Sequence, residues 1–199
     1  RTGVCRSFDY DGFFAGSLAR ALAARAIAPT FAGVVPEHAY TCALLAGIGR
    51  LALASIHPET YARLIDESAG FDLEDVIALE RHAIDMDHRE LAAAMLADWR
   101  LPESWVAAVT TYQLPAPKPE ARTDGARGEE GAMIRVLRAA DRLASACVSP
   151  KHLSPTEWKH RWSDLQDLRG DLGLEEQAFN DLCKALAAEW REKSRMLEV

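Results

Sequence analysis

The side chains that could perform chemistry are few, and they lie on different segments of the chain. His88 follows Asp87 in DMDH, and Asp141 lies within AADRLA. Imidazole and carboxylate together suit a transition metal, which could activate a water molecule for hydrolysis. The six histidines show no HxxxH or HExxH spacing, and no His-Asp dipeptide occurs in the 199 residues. Two candidate ligands on separate helices do not make a catalytic metal site.

Each of these residues also has a structural interpretation. Asp87 and Glu90 form an Asp-led capping box at the start of a predicted helix. His88 then lies in the first helical turn, where side chains commonly satisfy local hydrogen bonds. Asp141 is expected to be a buried acid that is satisfied by an arginine or a helix N-terminus.

Two opposite charges fall on segments that are otherwise apolar. Glu80 shares the inward stripe of DLEDVIALERHAI, and Arg50 is the single charge between Ala39 and Leu53. A buried carboxylate needs a partner, because an unpaired buried charge is strongly destabilising. We therefore predict a buried structural pair between Arg50 and Glu80 that fixes the register of two helices, in preference to a catalytic role.

The sequence carries no other catalytic signature. It contains no GxSxG, no GxxxxGK and no GxGxxG after a strand. The two glycines of AGIGR lie in an apolar helical run, which favours close helix packing over phosphate binding. We therefore predict no catalytic residues and no cofactor-binding residues.

The elements that position these residues are predicted to be helices throughout. AYTCALLAGIGRLAL is apolar on nearly every face, which is typical of a buried helix, and we expect this central helix at about residues 37–56. The other segments repeat apolar residues at helical spacing, and none alternates as a strand does. We predict one all-α domain over residues 1–149 with an exposed loop at 114–131, followed by a C-terminal helical extension over 150–199.

Composition narrows the class of function. Lys and Arg number 23 against 30 Asp and Glu, a net charge of −7, and no dense basic run occurs, so nucleic acid is not expected as a partner. The four cysteines are scattered without a CxxC motif, which indicates a reducing, cytoplasmic location. Uncharged runs such as 26–36 are too short to span a bilayer, so no membrane is expected either.

LLAGIGRLAL, followed by Glu80 and DMDHRELAAAMLADWRLP, resembles the HDOD family, the HD-related output domains of bacterial signalling proteins. The resemblance implies an HD-like helical bundle. The family normally has further helices before a segment such as 8–28, so these helices either lie upstream or are absent.

HDOD domains resemble the HD phosphohydrolases, whose histidines and aspartates hold a divalent metal. The resemblance places these ligand positions at Gly16, at Ala46 and Gly47, and at Tyr112, none of which can ligate. It therefore implies no bound metal, no cofactor and no hydrolysis. His88, Asp141 and Asp87 remain as candidates for a vestigial pocket.

The resemblance favours a non-catalytic regulatory domain that acts through protein contacts. Its partners would be other signalling proteins or a covalently attached output or receiver module, with a possible homodimer through the C-terminal helix that carries Trp190 and Leu197. That helix more simply packs on its own domain. Two alternatives stay open: a phosphohydrolase with a rearranged metal site that uses His88, Asp141 and Asp87 or Glu80, and a sensor that binds a nucleotide or small ligand in the vestigial pocket.

Overall fold

The fold is all-α, as the sequence predicts. It is seen in a computed structural model that describes residues 3–114, 128–147 and 155–196, and these ranges contain no strand. Within them lie a short 3-10 helix, Ala28–Thr30, and ten α-helices: α1 Tyr10–Ile27, α2 Pro36–Leu45, α3 Ile48–Ile56, α4 Pro58–Glu67, α5 Leu73–Ile84, α6 His88–Asp98, α7 Glu103–Thr111, α8 Glu129–Cys147, α9 Pro155–Asp171 and α10 Glu176–Met196.

Helix α1 lies at the centre of the main hydrophobic core. Its alanines let it pack closely against α2, α8 and α10, because a small side chain keeps neighbouring backbones near each other. Leu22 and Ile27 of α1 are fully buried beside Leu96 of α6 and Leu137 of α8. A second, smaller cluster forms where α3 and α4 meet α5, α6 and the N-terminal segment, and it includes Leu53 and Tyr61.

The predicted central helix is divided into two helices, which corrects the expectation of one continuous element. Helix α2 ends at Leu45, Ala46 and Gly47 form a joint, and α3 begins at Ile48. The Gly47 backbone leaves helical geometry at φ −103° and ψ 4°, and a Cβ there would lie 2.7 Å from the Phe13 ring. The joint lets α2 pack in the main core while α3 packs against α6 and α4.

The segment Pro36–Ile56 passes the length and composition test for a membrane span when it is taken as one helix, with a mean hydropathy of 1.5. This is weak evidence, because the core helix of a soluble protein passes the same test. Here the segment is broken at Ala46 and Gly47, and α2 and α3 pack against α1 and α6.

The C-terminal helices pack on the main core. Leu168 of α9, Leu172 just after it, and Phe179 and Leu186 of α10 are buried in it. Of the predicted loop at 114–131, residues 115–127 lie outside the described residues, and α8 already begins at Glu129. Leu197, which was expected to extend the last apolar face, also lies outside the described residues.

Candidate functional site

Glu80 is the centre of a buried hydrogen-bond network that joins α4, α5 and α6. Its side chain is 1% exposed, and its Oε2 accepts the backbone N–H of His88 at 2.9 Å. The same oxygen lies 2.6 Å from His88 Nδ1, and the Tyr61 hydroxyl donates to Oε1 at 3.2 Å. An ionised carboxylate can only accept, so Nδ1 is the protonated ring nitrogen. Burial, followed by the nearby Glu80 charge, raises the pKa of Tyr61.

The partner of Glu80 is therefore His88, and the predicted Arg50–Glu80 pair is corrected. Within the part of the chain that the structure describes, no hydrogen bond or ion pair joins Arg50 to Glu80. The reason lies in the turn between α5 and α6. Asp85 ends α5 in a left-handed conformation at φ 60°, and the chain folds back so that the first residue of α6 reaches Glu80. The eight-residue spacing across a capped turn was the signal that could have found this pair.

Gly49 allows this arrangement to lie close to α3. A Cβ at that position would stand 1.7 Å from the backbone carbonyl oxygen of His88. Only a glycine lets the α3 backbone approach the start of α6 so closely. The interpretation of AGIGR as a packing motif is confirmed at this residue.

Asp87 is the N-cap of α6, and it lines neither of the two cavities described below. Its fully buried carboxylate accepts the backbone N–H groups of Arg89 and Glu90, and Glu90 Oε2 accepts the N–H of Asp87 in return. The predicted capping box is present. Burial acts to raise the pKa of Asp87, but the two N–H donors and the Arg89 charge outweigh it, so the pKa lies below the usual range of a carboxyl.

Two adjoining cavities lie beside this network. The larger, of about 860 Å³, is bounded by α3, α4, α5, α8 and the residues after α7, and the smaller, of about 390 Å³, by α1, α3, α4 and α6. Five residues line both cavities: Arg50, Tyr61, Ile65, Tyr112 and Gln113. We call the pair the joined cavity.

The positions at which the resemblance places the metal ligands do converge on the joined cavity. Gly16, Ala46, Gly47, His88 and Tyr112 all line its smaller part. Of these five residues only His88 is of a type that commonly ligates a transition metal. These positions therefore lie around one cavity, and few of their side chains can ligate a metal.

Asp141 lines the larger part, away from His88. Its side chain is 48% exposed and pairs with Arg20, whose Nε lies 3.0 Å from Oδ1. The expected arginine partner is present, but the acid is half-exposed and not buried. Among the described residues, no group of three or more His, Cys, Asp or Glu side chains could hold a metal ion. The residues present do not fit the metal of an HD enzyme.

Arginines are the feature of the cavity that the sequence did not reveal. Arg20, Arg50, Arg138 and Arg142 line it, against the acids Asp9 and Asp141. These side chains come from α1, α3 and α8. Arg138 and Arg142 are four residues apart on α8, but no spacing along the chain relates the three helices. Burial raises the pKa of Tyr112; the charges of Arg20 and Arg50 act to lower it, and that of Asp141 adds to the increase.

The comparison with known families decides the identity of the fold. The model of the HDOD domain matches residues 1–115, which include α1 to α7. The chain belongs to the HDOD family. Among curated proteins, none matches the chain.

Solved structures resemble this HDOD domain over nearly all of its length. The MmoQ response regulator of Methylococcus capsulatus str. Bath is 33% identical, with a TM-score of 0.71 over 92% of this chain and 65% of that one. A protein of Shewanella amazonensis SB2B that is provisionally named a phosphohydrolase is 20% identical, with a TM-score of 0.62 over 94% and 62%. A provisionally named signal transduction protein of Marinobacter aquaeolei VT8 is 16% identical, with a TM-score of 0.63 over 92% and 38%.

These likenesses have different weight. The two relatives at or below 20% identity show that the HDOD domain shares their fold alone. The chain spans 65% of the MmoQ structure, so it corresponds to a part of that response regulator. Helix α8, whose Arg138, Asp141 and Arg142 line the joined cavity, lies beyond the range of the family match.

Proposed function

We propose that this HDOD domain is a non-catalytic regulatory module of a bacterial signalling protein and that it acts through protein contacts. The observation that carries the proposal is the chemistry of the joined cavity. At the positions that the resemblance assigns to metal ligands stand Gly16, Ala46, Gly47 and Tyr112. Guanidinium groups line the same cavity and would repel a divalent cation.

Its role in signalling is supported by the family and by its relatives. HDOD domains resemble regulatory parts of larger proteins, and MmoQ is named a response regulator. We infer that the partner is another signalling protein or an attached receiver or output module. Cys5, Cys42 and Cys183 are free thiols, which supports a cytoplasmic location.

The contact surface is better sought outside α10. Phe179 and Leu186 of α10 are buried in the main core, and Trp190 packs against it, so little of the apolar face of this helix is left for a homodimer. Large apolar side chains are exposed elsewhere, among them Ile56 at 60% and Trp99 at 50%. When exposed apolar residues form a contiguous patch, that patch commonly marks a surface that a partner covers.

The deciding experiment for the absence of catalysis is a hydrolysis assay on the full chain. The protein is loaded with Mn²⁺ or Fe²⁺ and incubated with p-nitrophenyl phosphate and bis-p-nitrophenyl phosphate, with His88→Ala and Asp141→Asn as matched variants. We expect the parent and both variants to give the same hydrolysis rate as buffer that contains the metal and no protein. Stoichiometric metal and a turnover that both variants lose would instead establish a rearranged phosphohydrolase.

Hydrogen–deuterium exchange tests the contacts. The chain alone is compared with two other samples. One is the full-length protein to which the chain belongs, and the other is the chain mixed with the remaining modules of that protein. We expect slower exchange around the exposed apolar residues when a partner is present. Identical exchange in both states would contradict regulation through protein contact.

A further inference from the structure

The joined cavity is positively charged in a protein that is acidic overall. Its charged side chains are the four arginines and the two aspartates named above, whereas the chain as a whole carries −7. A cleft lined by one sign of charge concentrates ligands of the opposite sign. The excess of guanidinium groups is therefore a property of the site and not of the composition.

Some of this positive charge has no acidic partner. Arg138 donates to two backbone carbonyls, from Nε to Tyr112 at 2.7 Å and from Nη2 to Leu114 at 2.8 Å, so its charge is hydrogen-bonded but not neutralised. Arg50, which lines both parts of the cavity, makes no hydrogen bond or ion pair of its side chain within residues 3–114, 128–147 and 155–196.

Arg20 and Arg142 are partly neutralised. Arg142 Nη1 pairs with Asp171 at 3.0 Å, and Arg20 uses Nε for Asp141. The acid on the other wall, Asp9, is the N-cap of α1 and accepts the N–H of Gly12 at 2.9 Å. Asp141 is thus paired with Arg20, whereas Asp9 keeps its charge, so the four arginines still outnumber the two aspartates among the residues that line the cavity.

Two buried nitrogen atoms in the walls of the smaller part have no hydrogen-bond partner among the described residues. They are Arg20 Nη1 and His88 Nε2. Buried polar atoms are nearly always hydrogen-bonded, so each needs a partner that the described chain does not supply. The Arg20 atom is a donor, and His88 Nε2 is the ring nitrogen opposite the one that contacts Glu80.

We infer that the joined cavity binds a small phosphorylated molecule, with its phosphate held by Arg50 and the free Nη1 of Arg20. Several guanidinium groups suit a dianion, and the fork of an arginine matches phosphate geometry. Tyr61, Ile65 and Phe71 line the larger part and can cover an apolar portion of the ligand. The two volumes, about 860 and 390 Å³, lie in the range of small-molecule sites.

This inference deepens the proposed function, on which it rests, because the bound molecule would be the signal that the regulatory domain passes on. It requires no partner protein and no hydrolysis, so it can fail while the proposed function stands. Conversely, a phosphorylated compound that is bound and then hydrolysed would overturn the non-catalytic proposal and leave the binding site in place.

The test is calorimetric titration of the full chain at constant ionic strength with EDTA present. The probes are inorganic phosphate, pyrophosphate and adenosine monophosphate, with adenosine as the probe that lacks phosphate. We expect at least one phosphate-bearing probe to bind and adenosine to bind far more weakly. EDTA excludes binding through a chelated metal.

The variants are Arg50→Gln, Arg50→Lys and the control Arg63→Gln. Arg63 is exposed on α4 and does not line the joined cavity. Loss of a charge-assisted contact in Arg50→Gln should weaken binding by about tenfold or more. Arg50→Lys should bind more weakly than the parent and more tightly than Arg50→Gln, because lysine keeps the positive charge but lacks the forked guanidinium group. Arg50 has no described partner, so the variant should fold, and circular dichroism checks this.

Three results would overturn the inference. One is the absence of binding by every phosphate-bearing probe at millimolar concentration. Another is equal affinity of the parent and a folded Arg50→Gln. The third is an equal loss in Arg63→Gln, which would mean that overall charge and not the cavity governs binding.

Discussion

Removal of the Glu80 side chain should destabilise the fold more than any other change to the polar network. Its carboxylate accepts three hydrogen bonds, two from His88 and one from Tyr61. A hydrogen bond to a charged group contributes about 1.5–3 kcal/mol, and a buried donor left without its acceptor costs about 1–3 kcal/mol. Glu80→Ala removes the acceptor of the buried His88 N–H and of the Tyr61 hydroxyl. We expect a loss of about 3–5 kcal/mol in the free energy of unfolding.

Glu80→Gln separates the charge from the shape. Glutamine keeps an oxygen that can accept from His88, and its amide can donate to the Tyr61 oxygen. The charge assistance is lost, and the Tyr61 O–H loses Glu80 as its acceptor. We expect a cost of about 1–2 kcal/mol, which is smaller than that of the alanine variant. The matched control is Glu74→Ala, an exposed acid on the same helix, which should change stability by about 0.5 kcal/mol or less.

The assay is urea unfolding followed by circular dichroism, with the slope of free energy against urea compared between variants. A double-mutant cycle with His88→Ala isolates the pairwise coupling, which should exceed about 1 kcal/mol. The reasoning is refuted if Glu80→Ala costs no more than Glu74→Ala. It is also refuted if the coupling to His88 is zero, because Glu80 would then be stabilised by something other than the pair.

Two further changes test the start of α6 and its contact with α3. Asp87→Ala should lower stability by about 1–2 kcal/mol at neutral pH through loss of the N-cap. Because the pKa of Asp87 is lowered in the folded state, its contribution is complete above the ordinary carboxyl pKa and is lost as the pH falls through the folded-state pKa. Urea unfolding in neutral and acidic buffer should therefore show the difference between parent and variant shrinking in acid, and a constant difference would contradict this account. Gly49→Ala should destabilise strongly or prevent folding, because its Cβ would meet the His88 carbonyl oxygen at 1.7 Å. Gly16→Ala is its control, because a Cβ there meets nothing within 4 Å. The higher helix propensity of alanine should raise the free energy of unfolding by about 0.5–1 kcal/mol. Thermal unfolding of both variants checks this pair, and equal midpoints would refute it.

Signals that act over a few residues predicted the local structure correctly. The capping box of Asp87 and Glu90, which the sequence predicts, begins α6. Helical periodicity also placed Glu80 on a buried face. These features depend on neighbouring residues, so the sequence contains all the information they require.

Features that depend on how the helices pack against one another were not predictable from the sequence. Periodicity shows that Glu80 faces inward, but the turn at Asp85 decides that His88 and not Arg50 faces it. The division of the central helix at Gly47 depends on Phe13, which belongs to α1. The arginines of the joined cavity come from three helices, and only the packed fold brings them together.

The joint at Ala46 and Gly47 has a mechanical consequence. It connects α2, which belongs to the main core, to α3, which belongs to the smaller cluster, and both of its residues lie in the cavity wall. Because Ala46 and Gly47 also line the cavity, any change of backbone conformation at this joint would alter both the direction of α3 relative to α2 and the wall of the cavity.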